Sequence, residues 1–183
     1  VVAGDDREVA ASFGDAAQVF EVFTYLGYLA GITQNILLGT AAVVLPLREP
    51  VLTLKAAASV DQLSGGRLLL GVASGDRPVE YPVFGRDFDQ RGAAFREQVA
   101  MLRDWGEMRL PPGIRLLPKP AAPLPLLVAG LAQQSPAWIG AQLDGWLAYP
   151  GTPDDHVRRA AQWRAVAGDD KPYVSFIHLD LDD

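Results

Sequence analysis

Residues 36–75 read ILLGTAAVVLPLREPVLTLKAAASVDQLSGGRLLLGVASG, and this stretch decides the fold. It opens with an apolar run, Ile36 to Leu45, interrupted only at Gly39 and Thr40 and bounded by Asn35 and Pro46. A continuous run of that length reads as a strand buried on both faces, as strands of parallel sheets are. Pro50 suits the first turn of a helix, because its missing N–H has no intrahelical partner there in any case. Val51 to Leu63 then reads as a helix, broken by Ser64-Gly65-Gly66. Arg67 to Ala73 is the next buried strand. Together the three segments make one βαβ unit.

The same alternation extends outward in both directions. Upstream, residues 15–31 place Val19, Val22, Phe23, Leu26, Leu29 and Ala30 at helical spacing, with Gly31 as the stop. Downstream, Ser74 to Asp89 is a loop, Arg91 to Trp105 a helix, and Pro111 to Pro125, with six prolines, an extended connector. Pro125 to Ala129 and Trp146 to Tyr149 read as strands on either side of a short helix, Ser135 to Gln142. Thr152-Pro153 is a good cap and first-turn pair for a helix over Asp154 to Val166, and Tyr173 to Leu179 is a fifth strand. Such alternation predicts an α/β fold of right-handed βαβ units around a parallel sheet. Five strands in 183 residues fall short of the eight strands and ~250 residues of a closed barrel. Pattern and length alone therefore favour an open, doubly wound sheet.

Composition narrows the chemistry. A formal net charge of −6 argues against a nucleic-acid partner, which needs a surplus of Lys and Arg on one face. No apolar run approaches the ~20 residues of a membrane-spanning helix, and no secretory pattern is visible. With no cysteine, disulfides, thiolate nucleophiles and Cys-ligated metals are excluded. His156 and His178 lie far apart without metal-ligand spacing. The expectation is a soluble cytoplasmic protein acting on a small molecule, with no metal. Val1-Val2 in place of an initiator Met implies residues before them.

Three blocks overrule the length argument. They are GTAAVVLPLREP at 39–50, AASVDQLSGGRLLLGVASG at 57–75 and EYPVFG at 80–85, followed by LLPKP at 116–120, SPAWIG at 135–140 and DGWL at 144–147. In this order and spacing the chain resembles the bacterial luciferase-like monooxygenase superfamily over about residues 13–150. The resemblance implies a (β/α)8 TIM barrel that binds FMN or a deazaflavin coenzyme at the C-terminal ends of its strands. Residues 1–183 would form a single partial barrel covering roughly strands 3 to 7, with Ile36 to Leu45 as strand 3 and Tyr173 to Leu179 as strand 7.

The resemblance also nominates cofactor-binding residues. Relatives place a non-proline cis peptide at the pair matching Ala41-Ala42, packed against the flavin ring. Read without that match, small residues there simply fit a tight barrel layer. Ser74-Gly75 ends a strand whose carboxyl end faces the barrel mouth, and Arg77 offers a phosphate-pairing fork. Luciferases carry Arg at the position of Ser74, so this chain departs from them at the phosphate end. Gly130 to Ser135 matches a phosphate-binding turn whose hydroxyl is kept as Ser135, while Leu131 and Ala132 replace polar residues. Ser135 is equally readable as a helix N-cap. Asp61, Arg67 and Glu80 are expected to form an ion-pair set tying helix to strand end, and Trp138, Trp146 and Trp163 to pack in the core or at its rim. His156 is expected on the surface, and His178 at a strand end.

The activity implied is that of a flavin-dependent oxidoreductase, a monooxygenase using reduced FMN and oxygen on an unspecified small organic substrate. Two alternatives stay open: a deazaflavin-dependent hydride-transfer reductase or dehydrogenase, and a non-catalytic flavin-binding relic. A separate flavin reductase and a homodimeric state are what the resemblance implies for partners. The luciferase catalytic histidine would follow strand 2, outside this sequence, so no catalytic residue is nominated.

Overall fold

The computed structural model describes residues 19–104, 112, 114–120 and 122–175. Helix α1 (Val22–Ile32) leads into two short strands, β1 (Leu38–Gly39) and β2 (Val43–Val44), and a 3-10 turn at Leu45–Leu47. Helix α2 (Pro50–Ser64) and strand β3 (Leu68–Ala73) follow, then a 3-10 segment at Pro78–Phe84 and helix α3 (Arg91–Arg103). Strand β4 (Leu126–Ala129), helix α4 (Pro136–Gln142), strand β5 (Gly145–Ala148), helix α5 (Pro153–Ala167) and strand β6 (Tyr173–Ser175) complete the order. His178 and most of the expected fifth strand lie outside the described residues.

Every strand pairing among the described residues is parallel, and the order across the sheet is β1/β2, β3, β4, β5, β6. Strands thus succeed one another in chain order with no reversal. Right-handed crossovers in such a series put all the helices on one face, as in a barrel, whereas a doubly wound sheet reverses direction and covers both. The open sheet favoured by length is thereby corrected, and the described sheet is a half-barrel.

Strand alternation divides the side chains between two faces. Leu68, Leu70, Val72, Leu126 and Val128 point to the helix layer, where they join Leu54, Ala57, Phe95, Val99 and Trp163 in the core. Gly71, Ala73, Leu127, Ala129 and Leu147 occupy the other face, the lining of the barrel. Trp163 is buried, with its indole N–H donating to the Lys171 carbonyl at 3.0 Å, and Trp146 and Trp138 pack beside the core as expected.

The expected ion-pair set changes in two of its members. Arg67 spends its guanidinium on oxygens of the turn between α1 and β1: Ala30 O at 3.2 Å, Thr33 O at 2.8 Å, Ile36 O at 2.7 Å and Thr33 Oγ1 at 3.0 Å. Its Nε donates to Ser64 O at 2.7 Å. Glu80 pairs with Arg77 at 3.8 Å. Arg67 thus does the work of a C-terminal cap for α1, satisfying carbonyls that helix and turn leave over. A single ammonium cannot reproduce this fork. Arg67→Lys is expected to lower the stability by about 2 kcal/mol, read as a lower urea midpoint with an unchanged slope.

His156 is half-buried rather than free on the surface. Its Nδ1 lies 2.8 Å from the Tyr173 hydroxyl and its Nε2 3.4 Å from Ser175 Oγ, so it stitches α5 to β6 on the helix side of the sheet.

Candidate active site

The site begins with a discontinuity that the apolar run conceals. Gly39 pairs with Leu69, yet Val43 pairs with Val72, so residues 40–42 stand opposite only residues 70 and 71. One extra residue therefore bulges from the strand, and it does so at Thr40-Ala41-Ala42. The Ala41–Ala42 peptide bond is cis. Expected as one continuous strand, Ile36 to Leu45 is instead two short strands with this bulge between them.

Gly71 makes the bulge possible. A Cβ on Gly71 would lie 1.8 Å from the Thr40 carbonyl oxygen and 2.9 Å from its carbon, so the backbone of the bulge occupies the space of a side chain. In return Thr40, buried, donates its hydroxyl to Gly71 O at 2.7 Å. The arrangement leaves Ala41 exposed and Ala42 half-buried at the carboxyl end of the sheet. Nearest that end, the lining positions of β3 and β4 are Gly71, Ala73 and Ala129, so the mouth has a floor of small side chains flanked by Leu127 and Leu147.

Ser74 and Gly75 follow β3 directly. Gly75 has φ +80°, a left-handed conformation that favours glycine. Its added Cβ would stand 2.7 Å from Val44 Cγ1 and 2.9 Å from the Tyr81 hydroxyl, so β2, Ser74-Gly75 and the 3-10 segment converge here. The Tyr81 hydroxyl donates to the Ser74 carbonyl in a short hydrogen bond. Burial pushes the Tyr81 phenol above its ordinary pKa, against the opposing pull of the nearby Arg91 charge. Ser74 is only 5% exposed, and its own hydroxyl has no hydrogen-bond partner among the described residues.

Arg77 and Arg91 bring cations to this edge in different states. Arg77 is turned toward Glu80 at 3.8 Å. Arg91, on the first turn of α3, lies with its guanidinium 3.7 Å from the Phe88 ring centroid and gives one N–H to Phe88 O at 2.8 Å. Its buried Nε has no partner among the described residues. Arg91 was not among the residues nominated from sequence. A basic residue opening an amphipathic helix carries no distinctive signal there, and only folding brings it against Tyr81.

The turn after β4 is shaped by positive φ at Gly130 (61°), Ala132 (47°) and Gln133 (61°). For Ala132 and Gln133 such angles cost about 1 kcal/mol each, and the neighbouring Gln134 side chain holds the turn. Its amide donates to Gly92 O at 2.8 Å and Ala132 O at 3.1 Å, while its oxygen accepts from Arg96 at 2.8 and 3.1 Å. Gln134, buried, is a second residue missed in the sequence, where a Gln before Ser-Pro looks like ordinary loop. Ser135 caps α4, accepting from Trp138 N at 3.3 Å. Ala41, Ala42, Ser74, Gly75 and Gly130 therefore gather at three consecutive strand positions. Ser135 stands one turn beyond Gly130, exposed, and Arg77 faces its own ion pair.

Comparison with known proteins agrees with this architecture. The family model described as luciferase-like monooxygenase matches residues 6–177. An uncharacterised protein of Mycobacterium tuberculosis is 31% identical over 181 residues, covering 92% of this chain and 62% of that protein. The chain thus spans under two thirds of the length of that relative. The alkanal monooxygenase beta chain of Photorhabdus luminescens is 33% identical over 92 residues, covering 50% of this chain and 28% of its own. Among solved structures, a monooxygenase from Streptomyces bottropensis superposes with a TM-score of 0.67 at 26% identity, over 80% of this chain and 49% of that one. An F420-dependent secondary alcohol dehydrogenase shares the fold at a TM-score of 0.71 and 19% identity, over 89% of this chain and 56% of that one.

Proposed function

Because the chain belongs to the luciferase-like monooxygenase family, we propose that the protein is a flavin-dependent oxidoreductase that uses reduced FMN and oxygen to oxygenate a small organic substrate. The observation that carries this reading is the mouth itself: a strand bulge locked by Gly71 beside a floor of Gly71, Ala73 and Ala129. A flat ring system needs such a surface, because any larger side chain would hold it off the backbone. When bound, the flavin supplies the redox chemistry, and the chain supplies position and shelter.

Each residue then has a task. Ala41 and Ala42 present small side chains and backbone to one face of the ring. Leu127 and Leu147 keep water from its inner edge. Ser74 offers an uncommitted hydroxyl to the phosphate end, Gly75 holds the chain close, and Arg91 brings the cation, with Arg77 beside it. Gly130 shapes the second turn, and Ser135, while capping α4, keeps an O–H with no acceptor among the described residues. A homodimer, and a separate reductase to supply reduced flavin, belong to the same proposal. No proton-transferring residue is assigned.

A deazaflavin-dependent hydride transfer is the second reading, prompted by the shared fold of the F420-dependent dehydrogenase. The absorbance spectrum of cofactor retained by the purified full-length protein distinguishes the two. In the FMN reading, Arg91→Gln is expected to weaken FMN about tenfold, the worth of one charged hydrogen bond, and to leave riboflavin, which lacks the phosphate, unchanged. Fluorescence titration with both ligands reads this out. Equal weakening of the two would remove Arg91 from the phosphate site, and retention of neither flavin nor deazaflavin would sink the proposal.

A further inference from the structure

The carboxyl end of β5 supplies a side chain to the mouth that the roles above leave unused. Alternation puts Leu147 on the barrel lining, where its Cδ1 stands 2.7 Å from a Cβ built on Gly71. The next position of the same parity is Tyr149, one residue past the strand end. Its ring lies against Gly130, since a Cβ there would be 3.2 Å from Tyr149 Cε2. Gly130 is therefore glycine for two reasons, its φ of +61° and the volume it cedes to the ring.

An exposed tyrosine is ordinarily just a surface residue, but this one is held in place. Its carbonyl oxygen accepts from Arg159 of α5 at 2.8 Å. The turn beneath the ring is tied to the same strand: the Trp146 indole N–H donates to Gly130 O at 2.9 Å, and Gly130 N–H donates to Leu147 O at 3.2 Å. Yet Tyr149 is 61% exposed, and its hydroxyl has no hydrogen-bond partner among the described residues. A ring fixed in this way keeps its outer surface and its phenol for a ligand.

We infer, resting on the FMN reading above, that Tyr149 contacts the ring system of the bound flavin and donates its phenol O–H to a heteroatom of that ring. The span of the mouth carries the assignment. Ala41-Ala42 lie at the β2 edge and Tyr149 at β5, with β3 and β4 between them. Three strand spacings of about 4.8 Å put the two about 14 Å apart along the sheet. The floor between them is Gly71, Ala73 and Ala129, with no side chain large enough to divide it. A fused three-ring system can reach from the bulge to Tyr149 across that floor, whereas a single ring cannot touch both. Arg77 and Arg91 follow β3, so the phosphate charge is met there, and Tyr149 serves the ring.

Fluorescence titration of the full-length protein with lumiflavin, riboflavin and FMN tests this. Lumiflavin carries the ring with neither ribityl chain nor phosphate. Tyr149→Phe is expected to weaken all three by the same factor, about fivefold, the worth of one neutral hydrogen bond. Tyr149→Ala also removes the ring contact and is expected to weaken all three at least tenfold. This pattern is the reverse of that expected for Arg91→Gln, which spares riboflavin. Emission at saturation adds a readout that a purely structural role would not move. A phenol touching the flavin quenches it, so FMN bound to Tyr149→Phe is expected to be brighter than FMN bound to the wild type. Wild-type binding with unchanged affinities and emission in both variants would overturn the role of Tyr149 and leave the FMN reading standing. Weakening confined to FMN would place Tyr149 at the phosphate and overturn the ring assignment. Failure of the wild type to bind any of the three would remove both readings.

Discussion

Gly71→Ala is expected to cost about 3–5 kcal/mol and, under the proposed function, to abolish flavin retention, although it adds a single methyl group. The atoms that the methyl meets are the carbonyl oxygen and carbon of Thr40, at 1.8 and 2.9 Å. These are backbone and cannot rotate aside. Leu147 Cδ1, at 2.7 Å, can move. The bulge must therefore leave β3, breaking the Thr40–Gly71 hydrogen bond and withdrawing Ala41-Ala42 from the mouth. Since whole domains are stable by only about 5–15 kcal/mol, a loss of this size is also expected to reduce soluble yield. Gly39→Ala is the matched control. Its Cβ meets nothing nearer than Leu69 O at 3.9 Å, so a change within about 1 kcal/mol is expected. Thermal melting and flavin absorbance of both variants check the pair, and equal melting temperatures would show that Gly71 does not lock the bulge.

Gly75→Ala is the second large effect, and it bears on the phosphate end of the proposed FMN site. A left-handed φ of +80° costs an alanine about 1–2 kcal/mol before any contact is counted. Its Cβ would also press on Val44 at 2.7 Å and on the Tyr81 hydroxyl at 2.9 Å. Tyr81 is 1% exposed and cannot retreat into solvent, so the hydrogen bond it gives to Ser74 O is strained or lost. Stability is expected to fall by about 2–3 kcal/mol and FMN affinity by at least tenfold. Tyr81→Phe isolates one part of this, leaving the Ser74 carbonyl without its donor while adding no bulk. It is expected to weaken FMN in the same direction by a smaller factor. Fluorescence titration and melting measured on the same samples separate fold from site. Lower stability with unchanged FMN affinity in Gly75→Ala would mean that Ser74-Gly75 serves the strand end alone.

These outcomes depend on features with very different visibility in the sequence. The helices α2, α3 and α5 and the strands β3, β4 and β5 announce themselves through periodicity, prolines at first turns and glycine stops. In the structure they fall within a few residues of their expected places. Ile36 to Leu45 misled because hydrophobicity does not report pairing: Leu38 before the bulge and Val43 and Leu45 after it are buried alike, while Ile36 and Leu37 are apolar yet exposed. The bulge is visible only as a change of pairing register against β3. Arg67, expected to bind carboxylates, binds carbonyl oxygens, because no sequence pattern shows where unpaired backbone acceptors will gather.

The amino-acid sequence by itself determined the parallel α/β class, the order of elements and, through the spacing of GTAAVVLPLREP, DQLSGGR and EYPVFG, the family. Those properties are local or serial, and a chain of side-chain types records them directly. Only the tertiary structure decided that strands follow one another without reversal, that Gly71 yields its side-chain volume to Thr40, and that Tyr81, Arg91 and Gln134 close around the strand ends. Each of these is a contact across strands or layers. The residues involved are ordinary in their own segments, and it is packing that makes them neighbours.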